Sequence, residues 1–216
     1  MYNFTFNIPT KIHFGKDTIS NLSELKAYGS KVLLVYGGGS IKKNGLYDTA
    51  MKILKDAGLT VFELSGVEPN PKIETVRKGV EICKNEGIDM VLAIGGGSTI
   101  DCSKVVAAGA KYDGDAWDLV LDGSKVKAAL PIFDVLTLSA TGTEMDPFAV
   151  ISDMSKNEKW GTGSPYMVPT MSILNPEYTF SVSKKQTAAG TADMMSHTME
   201  NYFSMENADC QKRSEE

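Results

Sequence analysis

The spacing of apolar residues along the 216-residue chain changes period several times, and each change marks an element. Short unbroken apolar runs occur at residues 31–36 (KVLLVY), 60–64 (TVFEL), 90–94 (MVLAI) and 131–138 (PIFDVLTL). Each is too short for a stable helix, is rich in Val, Leu, Ile or Phe, and is bounded by Gly, Pro or polar residues. That pattern predicts strands, the most apolar of them buried on both faces. Between the runs the spacing lengthens to the helical period. Leu46, Ala50, Ile53, Leu54 and Ala57 form one stripe within residues 41–57, which stops at Gly58. Ile73, Val76, Val80 and Cys83 form another within 72–85, which stops at Gly87. A short helix fits 17–25, and residues 99–111 run on as a helix with Ser98 as N-cap. Strand and helix in alternation predict an α/β, Rossmann-like domain with a parallel sheet and right-handed crossovers.

The ends of the chain read differently. Residues 2–14 alternate in part and carry Pro9, which predicts an edge hairpin of two short strands joined at Ile8, Pro9 and Thr10. Such an edge offers a pairing surface to a second copy, hence an expected homodimer. Residues 112–129 are polar and mixed, a loop or broken helix around Trp117, while 148–152 and 172–174 are candidate strands. Past Ser183, a plausible N-cap, no strand pattern remains. Ala188, Ala192, Met195, Met199 and Phe203 follow helical spacing. Residues 1–181 are therefore expected to form the α/β domain, and 182–216 the first part of an incomplete all-helical domain. The apolar stripe of that part lacks following partners and predicts self-association.

Two of the predicted strands end alike, in Gly37, Gly38, Gly39, Ser40 and in Gly95, Gly96, Gly97, Ser98, each before a helical pattern. Residues without a Cβ let the backbone turn sharply and approach a ligand. A helix start presents free N–H groups and a positive dipole end, which suits a phosphate. Each turn alone reads equally as a tight strand-to-helix connection. Two of them at the carboxyl ends of parallel strands line one crevice, where doubly wound sheets hold nucleotides.

Composition narrows the function. With 42% hydrophobic residues the chain can build a core, and a net charge of −5 without a basic block argues against a nucleic-acid partner. No apolar run reaches membrane-spanning length and the N-terminus lacks a signal-peptide pattern, so no membrane partner is expected. Cys83, Cys102 and Cys210 are odd in number and widely spaced, which fits ordinary thiols in a reducing cytoplasm.

Asp193 and His197 stand four residues apart in the last helical pattern, so a carboxylate and an imidazole share one face and can reach one ion. A solvated aspartate beside a partly buried histidine explains the pair equally. Open metal sites usually take three protein ligands. Glu200, one turn on, is the local candidate for a third, though its position also suits a plain surface charge.

Three segments taken together, GGGSTIDCSK (95–104), TLSATGTE (137–144) and GTADMMSHTME (190–200), resemble the iron-containing alcohol dehydrogenase family, and within it the NADP-dependent butanol dehydrogenase branch. The resemblance covers the whole chain. It implies a dinucleotide-binding α/β domain, a C-terminal helical domain and a divalent metal, Fe²⁺ or Zn²⁺, in the cleft between them. It implies further that residues 37–40 face the adenosine ribose, and that Gly96, Gly97 and Ser98 hold the pyrophosphate. By the same resemblance Asp101, Thr137, Thr141 and Lys159 would line the nicotinamide half, and Asp193 and His197 would be the first two metal ligands. NAD-preferring members tend to carry an acidic residue at position 39; glycine there, followed by Ser40, favours NADP(H). Taken residue by residue, Thr137 and Thr141 also suit turn caps, and Lys159 a surface lysine. The family's remaining two ligands are histidines further along, whereas this chain has only His13 besides His197. The implied activity is hydride transfer between NADP(H) and a small primary alcohol or aldehyde such as butanol or butyraldehyde, the metal polarising the substrate oxygen. Two alternatives are a non-catalytic NADP-binding fragment and a relative of glycerol dehydrogenase or dehydroquinate synthase.

Overall fold

The protein is seen in a computed structural model that describes residues 7–203 together with Asn3 and Thr5. Residues 8–179 form one compact unit, and the flanking residues on either side fall in a second.

Six parallel strands make the sheet of the main unit: β1 (Lys11–Phe14), β2 (Lys31–Tyr36), β3 (Thr60–Leu64), β4 (Met90–Gly95), β5 (Ile132–Leu136) and, last in the chain, β8 (Met171–Leu174). Their order is β1-β8-β5-β4-β2-β3. A separate antiparallel ribbon pairs β6 (Phe148–Asp153) with β7 (Glu158–Gly163). The helices are α1 (Ser40–Lys43), α2 (Leu46–Asp56), α3 (Ile73–Glu86), α4 (Gly97–Gly109) and α5 (Ala116–Leu121). A 3₁₀ helix spans Thr18–Tyr28.

Alternation along the strands sorts the core into two layers. Leu33, Val35 and Val91 pack with Val76, Cys83, Cys102 and Val105 from α3 and α4. Val32, Leu34, Met90 and Leu92 pack on the other face with Leu22 and Leu25 of the 3₁₀ helix and Leu46, Ala50 and Leu54 of α2. Both faces of β2, β4 and β5 are therefore covered, as their unbroken apolar runs require. Helix α4 is buried along almost its whole length, including its polar Thr99, Ser103 and Lys104. It lies close against α3 because Gly79 lacks a side chain: a Cβ there would fall 2.6 Å from Val106 Cγ2 and 2.8 Å from Leu64 Cδ2.

The expected doubly wound core is present, with differences at its margins. The stripe over 41–57 is two helices, because Gly45 adopts φ +80°, outside the helical region, and starts α2 afresh. Helix α4 begins at Gly97 with Gly96 as its N-cap, so Ser98 lies inside the first turn. The segment around Trp117 is α5, capped by Asp115 accepting from the Trp117 amide. Strand β7, a polar and Gly-containing sequence, carries no periodic signal, and pairing with β6 defines it. The N-terminal hairpin needs correcting. Pro9 and Thr10 form no strand turn, and β1 instead pairs parallel with β8 at the sheet edge. Of its expected first arm, residues 2, 4 and 6 lie outside the described residues, and Asn3, Thr5 and Asn7 have no regular structure. In the second unit, Ser183 caps α6 (Lys184–Tyr202) by accepting from the Gln186 amide. Met194, Met195 and Met199 of that helix are exposed.

Two outcomes follow for the core. Gly79→Val forces methyl groups into Val106 and Leu64, and is expected to cost about 2 kcal/mol and lower the thermal midpoint by roughly 5 °C; calorimetry checks this. Burial pushes the Cys83 and Cys102 thiols up to about 12. In a Cys210→Ser variant, a thiol reagent at pH 8 should label neither until denaturant is added.

Candidate functional site

The topology itself marks one place on the sheet. From β2 the chain moves outward to β3, then returns on the opposite side of β2 to β4 and continues outward to β5. The order thus reverses between β2 and β4, the point beyond whose carboxyl ends doubly wound sheets form a crevice. Tyr36 is level with Ile94 across that gap, and Gly95 is level with Leu136 of β5. Residues 37–40, 95–98 and 137–144 therefore leave three neighbouring strands at nearly the same height.

The first turn is open. Gly39 sits at φ +97°, and a Cβ on Gly38 or Gly39 would meet nothing within 4 Å. Gly37 is tighter, its carbonyl accepting from the Gly66 amide while Val67 donates to the Tyr36 carbonyl. Ser40 is exposed at the start of α1. Just below, the Glu63 carboxylate accepts from both phenols, Tyr36 Oη at 2.6 Å and Tyr47 Oη at 2.7 Å, with Lys42 Nζ at 3.8 Å. Burial pushes Glu63 up, but these donors and the lysine charge more than offset it, and its pKa lies below the ordinary value.

The second turn ends in an uncapped helix. No side chain caps α4. The amides of Thr99 and Ile100 turn back to the Gly96 carbonyl, which leaves those of Gly97 and Ser98 directed out of the helix end. The third turn closes over this one. Thr137 donates its amide to the Gly95 carbonyl at 2.9 Å. A Cβ on Gly96 would lie 3.3 Å from Leu138 Cβ, and one on Gly97 would lie 3.2 Å from Thr141 Oγ1. Gly95–Gly97, Thr137 and Thr141 are thus brought together.

Asp101 is tied to the third turn and to the start of β6. Its Oδ1 accepts from Thr143 Oγ1 at 2.7 Å and its Oδ2 from the Val150 amide at 3.0 Å, and burial raises its pKa. One turn on, Lys104 is fully buried. Four acceptors surround its Nζ, namely Thr143 Oγ1 (2.8 Å), the Asp146 carbonyl (2.8 Å), Asp146 Oδ1 (2.9 Å) and the Phe148 carbonyl (2.8 Å), and share its three protons. Burial lowers the lysine's pKa, opposed by the Asp146 hydrogen bond and charge. Lys104, Thr143 and Asp146 were not among the expected site residues. A signal for Lys104 lay in the apolar run Val105–Ala108 that follows it, since a lysine that enters a helix core needs partners. Lys159 stands apart on β7, where its Nζ donates to Asn70 Oδ1 at 2.7 Å and not to the turn over 137–144.

In α6, Asp193 Oδ1 lies 3.7 Å from His197 Nε2, and both side chains are exposed. An oxygen and an imidazole nitrogen on one helix face match the donors that iron or zinc takes. They are two in number: the described residues contain no group of three or more His, Cys, Asp or Glu able to hold a metal. Nor does any described helix have the length and apolarity to cross a membrane.

Comparison with known proteins places the chain as a whole. Residues 9–176 match the family described as iron-containing alcohol dehydrogenase. The chain is 62% identical over 205 residues to NADH-dependent butanol dehydrogenase A of Clostridium acetobutylicum, covering 94% of this chain and 53% of that protein. It is 40% identical to the NADPH-dependent aldehyde reductase YqhD of Escherichia coli, again over 94% of this chain and 52% of the relative. The crystal structure of NADH-dependent butanol dehydrogenase A from Thermotoga maritima superposes with a TM-score of 0.89 at 49% identity, covering 94% of this chain and 52% of that one. The chain therefore spans about half the length of these relatives. Glycine turns at a reversal of strand order, a matching fold and this level of identity lead to one conclusion: the chain belongs to the iron-containing alcohol dehydrogenase family.

Proposed function

We propose that residues 8–179 bind NADP(H) across the two glycine turns, and that the whole protein transfers hydride between it and a small primary alcohol or aldehyde of the butanol/butyraldehyde class. The observation that carries this reading is the in-register placement of residues 37–40 and 95–98 at the reversal between β2 and β4. The free amides at the start of α4 suit the pyrophosphate, and Gly96, Gly97 and Ser98 would hold it. Thr137 and Thr141, which border that turn, would position the nicotinamide end. Asp101 would act there indirectly, by fixing Thr143, and Lys159 would reach the cofactor only by leaving Asn70.

The choice of NADP(H) rests on the first turn. Gly39 leaves open space, with no carboxylate of its own to repel a 2′-phosphate, and Ser40 supplies a hydroxyl donor. A second reading, NADH, is favoured by the names of the relatives at 54–62% identity, which are called NADH-dependent or probably so. Asp193 and His197 would hold the divalent metal, Fe²⁺ or Zn²⁺, whose contribution when bound is Lewis-acid polarisation of the substrate oxygen. With two donors on one helix, a binding module without turnover is the alternative for these 216 residues. Pairing of two copies along the exposed edge of β1 belongs to the same reading.

Nicotinamide fluorescence tests the core of it: NADPH should bind these residues saturably, and absence of binding overturns the reading. For cofactor choice, Gly39→Asp should shift the NADPH:NADH affinity ratio toward NADH by about tenfold, some 1.4 kcal/mol. Gly39→Asn, equally strained at positive φ but uncharged, should leave the ratio unchanged. An equal ratio in both variants refutes the 2′-phosphate argument. Reduction of butyraldehyde by NADPH with added Fe²⁺ or Zn²⁺ should fall by about 100-fold in His197→Ala with NADPH affinity retained. Turnover that survives this change removes His197 from the metal site.

A further inference from the structure

Beneath the third turn lies a buried polar group that neither the glycine turns nor the metal pair uses. Asp134 is the one charged residue of β5, and its side chain is 1% exposed. Its flanking strands present Ala93 of β4 and Ser172 of β8 at the same level. Glu144, from the turn over 137–144, is also buried. Asp134 Oδ1 and Glu144 Oε2 are both buried without a hydrogen-bond partner. Lys104, whose charge acts on Asp134, does not pair with it, because its Nζ is taken up by Thr143, Asp146 and Phe148.

The proton count around Ser172 is decisive. Its Oγ lies 2.6 Å from Asp134 Oδ2 and 2.7 Å from the backbone carbonyl oxygen of Glu144. Both contacts are short enough to be hydrogen bonds, yet a serine hydroxyl has one proton. Were Asp134 ionised, one of the two contacts would bring lone pairs together with no proton between them, in a site closed to water. A second carboxylate, Glu144, would stand near an uncompensated buried charge. One added proton resolves both problems.

We infer that Asp134 is held as a neutral carboxylic acid, donating from Oδ2 to Ser172 Oγ, which in turn donates to the Glu144 carbonyl, so that β5, β8 and the turn over 137–144 are tied by one directed chain of hydrogen bonds. The charges facing Asp134 are Glu144 from the turn and Lys104 from α4, and the strands on either side bring none. Burial is the largest influence on Asp134 and raises its pKa well above the ordinary value; Glu144 pushes the same way, while the Ser172 hydrogen bond and Lys104 oppose it. The tie does not depend on what the glycine turns bind.

The sign of the pH effect follows. A carboxyl whose folded pKa lies above its unfolded value holds its proton in the native state, so its contribution is fully present below about 4 and is lost as pH rises toward the folded value. Asp134→Asn keeps a donor toward Ser172 but cannot ionise. Its melting temperature relative to the parent should therefore climb between pH 5 and pH 8. Infrared spectroscopy reads the proton itself. The parent at pH 7 should show the carbonyl stretch of a protonated carboxylic acid, kept in Glu144→Gln and lost in Asp134→Asn. No such band at pH 7, or one that Glu144→Gln removes, overturns the inference. So does an Asp134→Asn variant destabilised by the same amount at both ends of the pH range. Should Asp134→Asn not fold, the parent and Glu144→Gln spectra still decide the matter.

Discussion

A lysine ammonium buried inside a helix layer is the constraint from which much of this architecture follows. Lys104 Nζ has no water and must find acceptors, and it finds them in Thr143, Asp146 and Phe148, all from the segment that leaves β5 and enters the ribbon. A charge taken out of water is tolerated only when it is surrounded by acceptors in good geometry, and removing one partner of such a pair typically costs several kcal/mol. The segment therefore has little freedom. Its path over the α4 start, which brings Thr137 and Thr141 to the second glycine turn, is set from below by a cation that itself stands away from that turn. Asp101 reinforces the arrangement from the same helix, holding Thr143 and the start of β6.

Two kinds of information are needed to build the crevice, and they come from different ranges of the chain. The strands and their glycine endings are local: an apolar run such as 90–94 followed by Gly95–Gly97 has few alternatives. The position of the turns relative to one another is not local. It depends on β4 adding beside β2 rather than beyond β3, and no single residue announces that choice. What supports it is close packing, with α3 and α4 able to approach only because Gly79 leaves room for Val106.

The residues legible in advance and those that were not divide along this line. The glycine turns, the Asp193–His197 pair and the core strands could be read from spacing. Strand β7 could not, since its polar sequence gains its conformation only by pairing with β6. The split of residues 41–57 at Gly45 hid behind a continuous apolar stripe, because a stripe records which face is buried and not whether the backbone is unbroken. Asp134 sat in plain view as an aspartate in the middle of an apolar strand. Its meaning needed the serine on the neighbouring strand and a carbonyl from the turn, which are 38 and 10 residues away respectively in sequence but meet at one oxygen.

The corner below the first glycine turn has a consequence of its own. A carboxylate at the end of β3 is a poor neighbour for any anion, yet Glu63 is wrapped by two phenols and faced by Lys42. Each of its oxygens accepts one phenol proton and the Lys42 ammonium stands 3.8 Å away, so an approaching phosphorylated molecule meets a carboxylate that is partly screened by its neighbours. The tyrosines and the lysine thus soften an acidic side chain that the sheet keeps at this corner, lowering its repulsion toward any anion that arrives there.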